Sequence, residues 1–270
     1  MKTCLLLIDC QNDFCLPGSP LYINGADADM HRLSHFITSY PNLIDSIHVS
    51  LDMHNINDIA HPNYWVDSEN KHPEPFTNIT VKDVESKKWS TANKNDERKA
   101  LLYLQILEDN KKFNHTIWPI HCVAGTYGAN IFPTLNASLK KWMDFTKKSF
   151  QSHIKGMNRN SEHFGIFQSE DGDSEFNHNL IVELYQDNNT VLVAGQAKSH
   201  CVATSLKQIL DFYPELIEKT IFLTDTSSNV TGCENIADEI YTKLREAGMK
   251  EMTTIEYIAL QENLTGIYNL

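Results

Sequence analysis

Short apolar runs alternate with longer amphipathic stretches along the chain, and this alternation restricts the possible fold more than any other feature. Runs such as Leu5-Leu6-Leu7-Ile8 and Val191-Leu192-Val193-Ala194 are apolar at every position, as strands covered on both faces are. The amphipathic stretches between them supply the covering helices. Strands are predicted at Cys4–Ile8, Ser46–Leu51, Thr116–Ile120, Asp144–Lys147, Val191–Ala194 and Ile221–Thr224, with a weaker one at Thr253–Tyr257. Helices are predicted at Ala26–Ser39, Asp96–Glu108, Glu175–Gln186, Cys201–Phe212 and Cys233–Ala247, the last closed by Gly248. The expected fold is α/β: a doubly wound, mainly parallel sheet of about six strands, helices on both faces. It forms one domain over residues 1–270. Residues 62–114 interrupt the rhythm with Pro62, Pro73, Pro75 and many Asn and Lys, so they are expected to form an insertion or lid.

A chain of 270 residues can bury a substantial core without covalent staples. Its six cysteines, at positions 4, 10, 15, 122, 201 and 233, are therefore expected as free thiols in a reducing, cytoplasmic setting. The run Cys4–Ile8 is too short for a signal-peptide core, and no segment is long and apolar enough to predict a membrane span. The net charge is −12, and Arg32, Arg98, Arg159 and Arg245 are the only arginines, which argues against nucleic acid as a partner.

Several groups of residues can carry chemistry. In Val191-Leu192-Val193-Ala194-Gly195-Gln196-Ala197-Lys198-Ser199-His200-Cys201 a buried strand ends in a turn, and a thiol sits where a helix begins. A helix N-terminus favours negative charge, which would lower the thiol pKa, and its backbone N–H groups could hold an oxyanion. Ser199 or His200 is expected to start that helix. Asp9 ends the first apolar run at the same sheet edge, where a carboxylate can take a thiol proton and return it to a leaving amine. Asp52-Met53-His54, followed by His61 and by His121 at the end of another predicted strand, has donors suited to Zn²⁺, Fe²⁺ or Mn²⁺. A lysine beside the thiol would stabilise a thiolate. The residues alone do not choose among Lys147, Lys148 and Lys155. Taken singly, each feature has an ordinary explanation: a core cysteine, a capping aspartate, a chance cluster among twelve histidines.

Together they resemble the nicotinamidase branch of the isochorismatase-like cysteine hydrolases. The resemblance is carried by Ile8-Asp9-Cys10-Gln11-Asn12-Asp13-Phe14 with Pro17-Gly18-Ser19, by Asp52-Met53-His54, and by Trp118-Pro119-Ile120-His121-Cys122-Val123-Ala124-Gly125-Thr126. It continues with Lys155-Gly156, Gly195-Gln196-Ala197, His200-Cys201-Val202 and Leu223-Thr224-Asp225, all in family order. It implies a catalytic trio of Asp9, Lys155 and Cys201, a cis peptide between Gln196 and Ala197, and an oxyanion hole from the N–H groups of Ala197 and Cys201. It also implies a divalent metal held by Asp52, His54, His61 and His121, and a ring pocket walled by Phe14, Trp118, Phe164 and His200. His61 lies seven residues beyond His54, one more than the short members of the family lead one to expect, which leaves His72 as an alternative ligand. The long 62–114 stretch and Met157-Asn158-Arg159-Asn160 also depart from the family pattern, at places that bear on substrate choice.

The implied activity is hydrolysis of nicotinamide to nicotinate and ammonia through a Cys201 thioester, in a homo-oligomer whose partner is a small-molecule amide. Other readings are a relative acting on another small amide, carbamoyl or isochorismate-like compound, and a catalytically silent binding or scaffold module.

Overall fold

The computed structural model describes residues 2–110, 112–187 and 190–265. β1 (Thr3–Ile8) is buried along its whole length, which demands cover on both faces. The strands that follow are β2 (Ser46–Asp52), β3 (Trp65–Val66), β4 (Ser90–Thr91), β5 (Gln151–Lys155), β6 (Thr190–Gly195), β7 (Thr220–Leu223) and β8 (Lys250–Met252). Six of them form one sheet in the order β5-β2-β1-β6-β7-β8, every neighbouring pair parallel, while β3 and β4 make a separate antiparallel ribbon. The chain winds outward from β1 to β2 and β5, returns to the centre, and winds out again from β6 to β8. The direction of winding reverses between β1 and β6, so the connections leaving their carboxyl ends run to opposite sides and leave a crevice beyond them.

Alternation along β1 divides the core. Leu5 and Leu7 join Met30, Leu33 and Phe36 of helix Ala26–Ser39, Leu135 and Trp142 of helix Pro133–Thr146, and Tyr257 of helix Thr254–Thr265. Cys4, Leu6 and Ile8 join Leu180 and Leu184 of helix His178–Asp187, Leu206 and Ile209 of helix Ala203–Phe212, and Leu244 of helix Asp238–Glu246. The doubly wound sheet with helices on both faces is therefore the fold.

Three predicted strands are corrected. Thr116–Ile120 is a buried connecting segment, bonded as Ile117 N–H to Thr77 O and Trp118 N–H to Ala60 O, and it adds no strand to the sheet. Asp144–Lys147 straddles the end of helix Pro133–Thr146, which Lys147 terminates in a left-handed conformation (φ +61°). Thr253–Tyr257 overlaps helix Thr254–Thr265, and the edge strand precedes it at Lys250–Met252. The helix predicted at Cys233–Ala247 is shorter, running Asp238–Glu246, with Gly248 beyond it at φ +99°.

The 62–114 segment holds the β3–β4 ribbon and helices Val81–Glu85 and Glu97–Asp109. Its own small core, with Trp65, Val84, Tyr103 and Leu104, closes against Ile59 and Ile117 of the flanking chain. All six cysteines are free. Among the described residues no helix is long and apolar enough to cross a membrane.

Gly195 is fixed by close approach. At φ +117°, a Cβ there would stand 2.0 Å from the Ile8 carbonyl oxygen across the β1–β6 crevice. Gly195→Ala is expected to cost about 2–4 kcal/mol, because strained φ and backbone overlap act together. Urea unfolding checks this, and a change below about 0.5 kcal/mol would contradict the close approach.

Candidate active site

The carboxyl ends of β1, β2, β5 and β6 bring the predicted residues together. Asp9 follows β1 directly, Asp52 ends β2, and Lys155 ends β5 in register with Asp52. Cys201 comes after β6, in a π-helical turn (Lys198–Val202) that leads into helix Ala203–Phe212. Asp9 adopts φ +46°, sparsely populated for a non-glycine residue. Ser50 holds it there: the Asp9 N–H donates to Ser50 Oγ at 3.0 Å, and Ser50 Oγ donates to Asp9 Oδ1 at 2.5 Å. The rest of the amino-terminal motif buttresses the site. Gln11 exchanges hydrogen bonds with the Asp52 backbone (2.7 Å each), and Asp13 Oδ2 accepts from the Cys122 N–H at 2.7 Å.

Lys155 is the hub. Its Nζ lies 2.9 Å from Asp9 Oδ2, 3.0 Å from Asp52 Oδ1, 2.7 Å from the His163 carbonyl and 3.9 Å from Cys201 Sγ. Burial alone would lower the lysine pKa, but Asp52 and Asp9 outweigh it and hold the ammonium well above its ordinary value. Burial raises the Asp9 carboxyl, with Asp52 adding to the rise and Lys155 opposing it. Lys147 and Lys148 lie at the far end of helix Pro133–Thr146 and before β5, where Lys148 pairs with Asp45.

The expectation of a thiol made acidic by a helix start is corrected. Burial pushes Cys201 well above its usual pKa, more than Lys155 lowers it. The resting group is a thiol, and its ionisation requires a proton acceptor in contact. Nor do Ser199 or His200 cap the helix: Ser199 Oγ bonds His200 Nδ1 (2.9 Å) and accepts from the Val230 N–H (3.1 Å). The Gln196–Ala197 peptide is cis, and the Ala197 carbonyl accepts from the N–H groups of His200 and Val202 at 3.0 and 3.1 Å.

Beside Lys155 stand a carboxylate and three imidazoles. The donor atoms of Asp52, His54 and His121 all lie within 4.8 Å of one another. His54 Nε2 is 2.9 Å and His121 Nε2 3.7 Å from the same oxygen, Asp52 Oδ2. Of their other nitrogens, His121 Nδ1 meets the Pro119 carbonyl at 2.8 Å, and His54 Nδ1 lies 3.2 Å from Asp58 Oδ2 without completing a hydrogen bond. Imidazoles fixed at one nitrogen and converging on a carboxylate with the other are suited to a divalent ion. The His61 ring packs against both others (centroids 5.0 Å), but its Nε2 points to His121 Nδ1 at 3.2 Å, outside the converging set. Burial drives its pKa down to about 2, so it is neutral. His72 is exposed and bonds the Trp65 carbonyl (2.7 Å), remote from the cluster.

Between the two groups lies a small cavity of about 30 Å³. All four predicted pocket residues line it: Phe14, Trp118, Phe164 and His200. Trp118 meets His200 edge-on at 5.2 Å, and burial lowers the His200 pKa to about 4, so its ring is uncharged. Sequence reasoning missed Glu162, Leu21, Ile23 and Val230 in the lining, and Phe113, which packs on His200 (5.4 Å) and Phe164 (5.8 Å) from the 62–114 segment. It also missed Asp58. An aspartate four residues after His54, at a spacing that can return to it, was the available signal.

Neither protein-family models nor curated proteins gave a match to the sequence. Solved structures match in fold. The yeast nicotinamidase Pnc1p bound to the inhibitor nicotinaldehyde aligns with a TM-score of 0.65 at 18% identity, over 93% of this chain and 99% of that one. A nicotinamidase/pyrazinamidase from Acinetobacter baumanii aligns at 0.64 and 17% identity, over 95% and 98% of the two chains. The pyrazinamidase of Pyrococcus horikoshii in complex with zinc aligns at 0.54 and 15%, over 94% and 99%. At such identities the likeness is one of fold.

Asp58→Asn keeps the shape of the side chain but weakens its hold on His54. It is expected to lower affinity for a divalent ion by about 10- to 100-fold, read by competition with a chelator. Unchanged affinity in a folded variant would remove Asp58 from the metal site.

Proposed function

We propose that the protein is a metal-assisted cysteine amidohydrolase of the isochorismatase-like family, acting as a nicotinamidase on nicotinamide and water to give nicotinate and ammonia. The observation that carries this reading is the buried contact of Lys155 Nζ with both Asp9 Oδ2 (2.9 Å) and Cys201 Sγ (3.9 Å) beside a cavity lined by Phe14, Trp118 and Phe164. The shared fold agrees with it.

In this reading Phe14, Trp118 and Phe164 hold the ring and exclude water, and the neutral His200 closes the wall. Asp9 takes the Cys201 proton while the Lys155 ammonium stabilises the thiolate. Sulfur bonds to the amide carbon, and the N–H groups of Ala197 and Cys201 receive the developing oxyanion. The C–N bond then breaks, the proton on Asp9 passes to the departing nitrogen, and ammonia leaves a thioester. Water adds to the acyl carbon as the C–S bond breaks, one of its protons moving to Asp9 and on to sulfur. A divalent ion (Zn²⁺, Fe²⁺ or Mn²⁺) held by Asp52, His54 and His121, with His61 alongside, would supply a Lewis-acid anchor for the ring nitrogen. Phe113 packs on two rings of the pocket wall from a segment long for this family, which favours, as a second reading, the same chemistry on a different small amide.

Ammonia release from nicotinamide by metal-loaded protein tests the proposal. Cys201→Ala is expected to abolish it, and Asp9→Asn to reduce kcat by about 10²- to 10⁴-fold, with folding intact by circular dichroism. Full turnover in Cys201→Ala would exclude the thioester route.

A further inference from the structure

Glu162 takes no part in the mechanism above, yet it lines the same cavity as Cys201, Ala197 and Trp118. It is 4% exposed, and its Oε2 has no hydrogen-bond partner. Its position is set by the backbone, because its carbonyl accepts from the Glu170 N–H at 2.9 Å and from Ser161 Oγ at 3.2 Å. A buried oxygen without a donor costs free energy, so native proteins pair such atoms with something. Of the walls around it, Phe14 and Phe164 carry no donor, and Lys155 is committed to Asp9, Asp52 and the His163 carbonyl. Burial raises the Glu162 pKa to about 8, with Asp58 and Asp52 adding and His54 and Lys155 opposing. A carboxyl oxygen accepts from N–H in either charge state, as a carboxylate or through the carbonyl of the neutral acid.

We propose that Glu162 is a specificity-determining residue, whose carboxyl accepts a hydrogen bond from the N–H of the substrate's carboxamide and so selects primary amides over esters and acids of the same ring. The inference rests on the amidohydrolase reading and extends it to the class of substrate. An ester brings no N–H to Glu162. A product carboxylate brings another acceptor, so the same contact that admits the amide favours release of the acid. The proton that completes ammonia comes from Asp9, which leaves the amide N–H free to face Glu162. A site built to bond N–H discriminates strongly against analogues that lack it, because its own polar atom is then left unpaired.

The test is kcat/KM for nicotinamide, pyrazinamide and benzamide against their methyl esters, in metal-loaded wild type, Glu162→Leu and Glu162→Gln. Glu162→Leu is expected to lose about tenfold on the amides, chiefly through KM, with the esters within about twofold; tenfold is about 1.4 kcal/mol. Glu162→Gln, which keeps an accepting oxygen, should stay within about threefold of wild type on the amides. Should Leu fail to fold, Glu162→Met replaces it. Equal losses on amide and ester, or no loss on either, overturn the proposal and leave Glu162 a structural residue. If wild type cleaves benzamide but not nicotinamide, and the amide-selective loss persists, the nicotinamide assignment falls and the role of Glu162 stands. Ester cleavage with no turnover of any carboxamide overturns both.

Discussion

A single buried ammonium holds this site together. Lys155 lies between Asp9 (2.9 Å) and Asp52 (3.0 Å), one carboxylate grouped with Cys201 and the other with the histidines. An unpaired charge so deep would cost several kcal/mol, and removing one partner from such a set typically costs about 3–5 kcal/mol. The two halves of the site therefore depend on each other. Asp52 has its pKa held well below the ordinary range, burial being outweighed by His54 and Lys155. It is a permanent anion on which the imidazoles converge. Asp9 is pushed up instead, because burial and the neighbouring Asp52 outweigh Lys155. One lysine thus faces two aspartates in opposite electrostatic conditions, a difference that suits the one to ligation and the other to proton transfer in the proposed reaction.

The sheet makes this arrangement possible. Lys155 and Asp52 are paired residues on adjacent parallel strands, and Ile8 pairs with Gly195 on the next two. Parallel strands deliver their carboxyl ends to one edge, and the reversal of winding between β1 and β6 opens the crevice there. Asp9 and Cys201 enter it from opposite sides. Because burial keeps the Cys201 thiol protonated at rest, a nearby acceptor with a raised pKa is the chemical counterpart it needs.

Central strands were legible in the sequence because burial on both faces makes them apolar throughout, as in Leu5-Leu6-Leu7-Ile8. The edges were not. β5 (Gln-Ser-His-Ile-Lys) and β8 (Lys-Glu-Met) are largely polar, as edge strands that avoid further pairing are, so apolar character pointed instead to neighbouring segments. Helix Pro133–Thr146 was missed although Leu135, Leu139 and Trp142 mark its buried face. Asp9, Asp52, Lys155 and Cys201 were legible as site candidates because contiguous motifs carry them to or just past strand ends, and His121 because it sits in a contiguous motif of its own. Glu162 and Phe113 were not, because each reaches the cavity or its wall from a connecting segment whose course depends on tertiary packing.

That packing gives the 62–114 segment its bearing on the site. Arg159 lies between Lys155 and Glu162 in sequence; it pairs with Asp96 and sits 5.7 Å over the ring of Tyr64, both in the segment. Tyr64 Oη donates to Asn160 Oδ1 at 2.9 Å, and the Ile59 N–H donates to the Arg159 carbonyl at 2.9 Å. The loop that carries Glu162 is therefore clamped by the segment's small core, and Phe113 extends that clamp onto His200 and Phe164. Loops tolerate change where they are solvated, but a loop packed on both sides transmits a displacement of either neighbour. Changes in the segment's core should accordingly reach the cavity wall formed by Glu162 and Phe164 before they reach Asp9, Lys155 and Cys201, which the central sheet holds. On this fold the Asp9–Lys155–Cys201 cluster is held by the sheet, and the facing wall by the packing between the segment and the loop after β5.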